Sequence, residues 1–138
     1  MKNTRIRITD IGFLGLSILF FIGMNTFAAP CGPKADGGWM TCHWAGMAVN
    51  AIAGVLVIIS LLHLVIPDFR IRLGLSLAAI PLAACACFIP GSIIGLCMMK
   101  DMRCHTVMAP SVSVFAFLII IMASADIFVW AKEKRNEF

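Results

Sequence analysis

Residues 107–131 read VMAPSVSVFAFLIIIMASADIFVWA, twenty-five positions with a single charge, Asp126. At 1.5 Å per residue, a helix of this length covers the ~30 Å hydrocarbon core of a bilayer. A Lys/Arg-rich tail follows at Lys132, Lys134 and Arg135, as at the end of a membrane span. Working backwards, three more apolar runs appear, at 11–29, 45–67 and 73–97. The whole chain is 61% hydrophobic and 13% charged, with mean hydropathy +0.97. A soluble domain carries roughly 25% charge, so a water-solvated fold is excluded. The net charge of +4 is no nucleic-acid footprint, because no basic stripe is interleaved with aromatics and Tyr is absent.

The links between runs are short, which makes successive helices antiparallel neighbours. The expected architecture is all-α: one domain over residues 1–138, an integral membrane up-down four-helix bundle with short loops. Orientation follows from Lys and Arg. One side carries Lys2, Arg5, Arg7, Arg70, Arg72, Lys132, Lys134 and Arg135; the other carries only Lys34, Lys100 and Arg103. The positive-inside rule then predicts both termini in the cytoplasm and a multi-pass protein of the cytoplasmic (bacterial inner) membrane. Pro30 directly after Ala28 and Ala29 makes a poor signal-peptidase site, so the first run reads as an uncleaved span.

Four of the six cysteines fall on the predicted outer side: Cys31, Cys42, Cys97 and Cys104. In an oxidising compartment they are disulfide candidates, with three pairings open to them. Local pairing would join Cys31 to Cys42 and Cys97 to Cys104; cross-pairing would staple the two outer loops together. Two Cys-His pairs offer a different chemistry. Cys42-His43 and Cys104-His105 supply two thiols and two imidazoles at one depth, a tetrahedral zinc-type set if the loops meet. Met40, Met47, Met98, Met99, Met102 and Met108 lie near the same face and would suit copper(I). His43 and His105 could instead ligate a haem iron. Thiol exchange is the third chemistry, weakened by the absence of Cys-x-x-Cys. Cys85 and Cys87, two apart within the third run, do not face each other on a helix and read as packing residues.

Polar groups inside a membrane are functional candidates by default. His63 and Asp126 lie at matching depths near the inner ends of the second and fourth runs, so they form either a partnered pair or two groups reaching separately to the interface. Asn50 lies between Gly46 and Gly54 on one helix face, a row through which another helix can approach and an amide can bond. Leucine at either glycine is expected to disturb the bundle. Gly91 and Gly95 form a similar pair on the third run, and Pro81 and Pro90 should kink it.

The string from Pro30-Cys31 to Gly38-Trp39-Met40-Thr41-Cys42-His43-Trp44, then Ala45-Gly46, with the four-span layout, resembles a small prokaryotic membrane family designated domain of unknown function 4418. The resemblance covers nearly the whole chain and carries no settled activity. Members tend to be encoded beside ABC transporters of the macrolide-exporter type, which implies a transporter-associated role. No nucleophile–base pair, phosphate loop or paired carboxylate stands in the runs. The leading expectation is therefore a non-catalytic accessory subunit of a membrane transport complex such as an ABC exporter, with a disulfide-stapled outer face. Its partners would be the lipid bilayer and either a transporter or a second copy. The alternative is an extracytoplasmic protein binding copper, zinc or haem.

Overall fold

A computed structural model describes residues 8–137; Lys2, Arg5 and Arg7, three of the eight residues in the inner-side count, lie outside them. The chain forms α1 (Ile8–Asn25), α2 (Thr41–Val65), α3 (Phe69–Phe88) and α4 (Ala109–Glu137). A π-type turn over Ile89–Ile93 ends α3, and a second, Cys104–Met108, leads into α4. Among the described residues, four helices are long and apolar enough to span a membrane. No strand occurs among the described residues. The chain is a polytopic membrane protein, and lipid is the solvent of its sides.

The residue pattern explains the bundle. Inward positions recur at three- and four-residue intervals: Phe13, Ser17, Phe20 and Met24 on α1, and Ala45, Val49, Ala53 and Leu56 on α2. On α3 the matching positions are Ala79, Ala83 and Ala86, facing Val112, Ala116 and Ile119 of α4 in one core. Alanines there let the two backbones approach closely, which is how helices gain packing energy where no water can drive them together. Outward positions are apolar instead: Leu19, Ile58, Leu61, Phe117 and Ile121 are all exposed. The ionisable groups Asp10, His63, Arg72 and Asp126 are buried. Polar inside and apolar outside is the inverse of a water-soluble fold.

Local signals set the helix ends. Pro67 cannot extend α2, and the Asp68 side chain caps α3 by accepting from the Arg70 backbone N–H at 3.1 Å. Pro81 is absorbed inside α3, whereas the helix breaks at Pro90. There Gly91 takes φ +93°, a conformation that side chains rarely adopt. This corrects the expected Gly91–Gly95 packing pair. The helix has ended before either residue, so no helical face carries them.

Gly46 and Gly54 differ as well. A Cβ at Gly46 would stand 2.7 Å from Cγ of Pro30, so the loop rests directly on the helix backbone; at Gly54 the nearest atom, Phe21 Cε2, is 3.7 Å away. Gly46→Ala should therefore cost about 1–3 kcal/mol through overpacking. Gly54→Ala should be neutral or gain up to ~1 kcal/mol from helix propensity. Reversible unfolding in mixed micelles measures both, and equal shifts for the two variants would remove the Pro30 contact from the account. The third residue of the row, Asn50, exchanges amide hydrogen bonds with Asn25 of α1 at 2.9 and 3.4 Å.

Candidate metal centre

At the end of the bundle that carries the α1–α2 and α3–α4 loops, four sulfurs converge. Cys31 comes from the loop after α1 and Cys42 from the first turn of α2. Cys97 comes from the loop after α3, and Cys104 opens the turn into α4. All four Sγ atoms lie within 4.8 Å of one another. The nearest pairs cross between loops: Cys31–Cys104 at 3.0 Å and Cys42–Cys97 at 3.3 Å, with Cys97–Cys104 at 4.0 Å. A disulfide needs about 2.05 Å, and none of the four is bonded to another in this structure. Cys42 and Cys104 are buried, and Cys31 and Cys97 are half-buried. The Met40 thioether lies 3.8 Å from Cys97 Sγ. At Cys31 the neighbouring Cys104 thiol holds the pKa below the usual thiol value; burial opposes this, and Cys42 and Cys97 add to the lowering.

Neighbouring groups hold these sulfurs in position. His105 Nε2–H donates to the Cys97 carbonyl at 2.8 Å, fixing the loop that presents Cys97. Arg103 donates to the Phe27 carbonyl at 3.3 Å and so ties the second loop to the first. Pro30 packed on Gly46 fixes the residue before Cys31.

The expected Cys42/His43/Cys104/His105 set is not what converges. Adjacent helical residues point about 100° apart, so a Cys-His pair cannot aim both groups at one point. With Cys42 turned inward, His43 stacks on Trp39 at 4.0 Å between ring centroids and meets Trp44 edge-on at 5.8 Å. Among the described residues, neither group of metal-competent side chains includes His43 or His105. Cys31 and Cys97 take their places.

At the opposite end His63 and Asp126 are in contact, Nε2 to Oδ2 at 2.8 Å. Ser76 Oγ donates to the same Asp126 oxygen at 3.1 Å and lies 3.1 Å from His63 Nε2. Asp10 of α1 faces His63 Nδ1 at 3.6 Å and pairs with Arg72 of α3. The Arg72 guanidinium in turn lies over the Trp130 ring, 5.2 Å from its centroid. Asp10, Arg72 and Ser76 were not legible as site residues. Asp10 and Arg72 stand just outside the apolar runs, where charges read as interface anchors.

Residues 13–129 match the protein family described as Domain of unknown function (DUF4418). The chain belongs to this family. The matched segment takes in α2 and α3 whole, most of α1 and α4, and all four clustered cysteines of this DUF4418 chain. It omits Asp10 and Trp130, so the polar cluster at the other end lies only partly within the match. No curated protein and no solved structure matches the chain.

Proposed function

We propose that this membrane protein binds one thiophilic metal ion, zinc(II) by preference, through Cys31, Cys42, Cys97 and Cys104. The observation that carries the reading is the mutual approach of the four sulfurs to within 4.8 Å. Metal–sulfur bonds of ~2.3 Å in a tetrahedron set the ligand sulfurs about 3.8 Å apart. The contacts at 3.0, 3.3 and 4.0 Å lie on either side of that spacing, and all four sulfurs lie within 4.8 Å. Four thiolates and no open position make a closed centre, the type that holds structure together rather than activating water. The Lys/Arg distribution favours an extracytoplasmic position for it. Copper(I) is the alternative occupant, favoured by the nearby Met40 thioether.

The rival is a stapled cap with disulfides Cys31–Cys104 and Cys42–Cys97, the two closest pairs. Purification of the full chain under anaerobic, reducing conditions, followed by elemental analysis and thiol counting, separates the two. The expected result is one metal per chain and tetrahedral thiolate absorption after cobalt(II) substitution. Metal-free protein with two reduction-resistant disulfides would overturn the proposal. The accessory role beside an ABC exporter rests on the family resemblance alone. Co-purification of a transporter subunit in mild detergent would be its test.

A further inference from the structure

The four clustered sulfurs fall into two close pairs, and the pairs are built alike. Cys31 lies 3.0 Å from Cys104, and Cys97 lies 3.3 Å from Cys42. Each pair has one half-buried member, Cys31 or Cys97, and one buried member, Cys104 or Cys42. The buried members are 1 and 0% exposed. Each pair also runs from the α1–α2 connection to the α3–α4 connection, so neither closes within a single loop.

Thiol–disulfide exchange uses such an arrangement. A thiolate open to the reagent attacks first and forms a mixed disulfide, which a second thiol within reach resolves. Binding a metal does not change the attacking form, because the thiolate is both ligand and nucleophile. Cys31 and Cys97 are the partly exposed members, and Cys104 and Cys42 stand behind them. Closing either pair to a disulfide brings its sulfurs together by only about 1 Å. The two loops are already tied to their neighbours, through Arg103 on the Phe27 carbonyl and Pro30 on Gly46. The approach of Cys97 to Cys104, within the second loop, is longer at 4.0 Å.

We infer that the cysteine centre is a redox-gated metal site: a small disulfide oxidises it across the loops, entering at Cys31 or Cys97, and the bound ion is released. The inference rests on the metal reading above. Cys31 Sγ bonds to one sulfur of the reagent, whose S–S bond breaks; the other half leaves as a thiolate and takes up a proton. Cys104 Sγ then attacks Cys31 Sγ and expels the second half in the same way. Cys97 and Cys42 repeat the sequence. The net change converts four metal-bound thiolates, two small disulfides and four protons into two protein disulfides, four small thiols and the free ion. Four electrons pass from the cysteines to the reagent, and the metal keeps its valence. An oxidising compartment is where such disulfides persist. Oxidation discharges the ion but leaves the cap closed, because both new bonds run between the loops that the metal had joined.

The test takes the full chain, reduced and loaded with zinc(II) in lipid nanodiscs, and titrates it with glutathione disulfide against a reagent-free control. A colorimetric chelator reads released zinc, and mass spectrometry of the alkylated, cleaved protein maps the bonds. The expected result is complete loss of zinc with two glutathione disulfides consumed per ion. The bonds should be Cys31–Cys104 and Cys42–Cys97, and reduction should restore zinc binding in full. In Cys104→Ser and Cys42→Ser the glutathione adduct should persist, on Cys31 and Cys97 respectively. The wild-type bond map serves as the readout if either variant fails to fold. Zinc held against excess reagent would defeat the inference and leave the metal reading standing. Bonds Cys31–Cys42 and Cys97–Cys104, or adducts that collect on Cys42 or Cys104, would defeat it equally. A reduced chain that takes up no zinc before the reagent is added removes the metal reading itself, and the gating with it.

Discussion

Cys104→Ser is expected to reduce bound metal from one ion per chain to none under conditions where the wild type is saturated. Structural zinc sites are worth about 10–16 kcal/mol at neutral pH. Shared among four thiolates, that is roughly 3 kcal/mol each, so losing one ligand should weaken binding a hundredfold or more, at about 1.4 kcal/mol per tenfold. Cys104 is the sharpest position because it is buried and touches both Cys31 and Cys97. Competition against a chelator of known affinity measures the loss. Cys85→Ser is the control: Cys85 is exposed on α3, outside the cluster, and its replacement should leave metal content unchanged. If Cys104→Ser and Cys85→Ser retained metal equally, the four sulfurs would not be the ligands.

Arg72→Met should produce the largest loss of stability, about 3–5 kcal/mol, because it breaks the buried ion pair between Arg72 and Asp10 from one side. The side chain also stacks over Trp130, so part of the loss is packing. Adding Asp10→Asn to the same chain should recover a substantial share, since removing both charges avoids the desolvation penalty that removing one exposes. Unfolding in mixed micelles, run as a double-mutant cycle, gives both numbers. A cycle with no coupling would mean that Asp10 is solvated from outside the bundle.

The four helices were legible because hydropathy in a bilayer is nearly a complete description of what can cross it. Their limits were less so. The third apolar run continues to Cys97, but the helix breaks at Pro90, and hydropathy does not register a change of φ at Gly91. The clustered cysteines could be read from their positions in the two loops on one side. His43 and His105 do not join them, because residues adjacent in sequence point about 100° apart on a helix. His63 and Asp126 were found by matching depth. Asp10 and Arg72 escaped because α1 and α3 begin a few residues before the apolar runs do. A charge one turn outside a hydrophobic stretch reads as an anchor until the neighbouring helices are known.

The four clustered cysteines come as two pairs far apart along the chain, two around the first loop and two around the last. A ribosome therefore delivers Cys104 long after Cys31. Until α4 follows it, the half-made product carries all four thiols but lacks the helix that holds Cys104 in place, and at the other end His63 waits for Asp126. On the proposed reading, metal capture would follow the arrival of the last helix, and a chain truncated before α4 would lack both the support behind Cys104 and the Asp126 carboxylate.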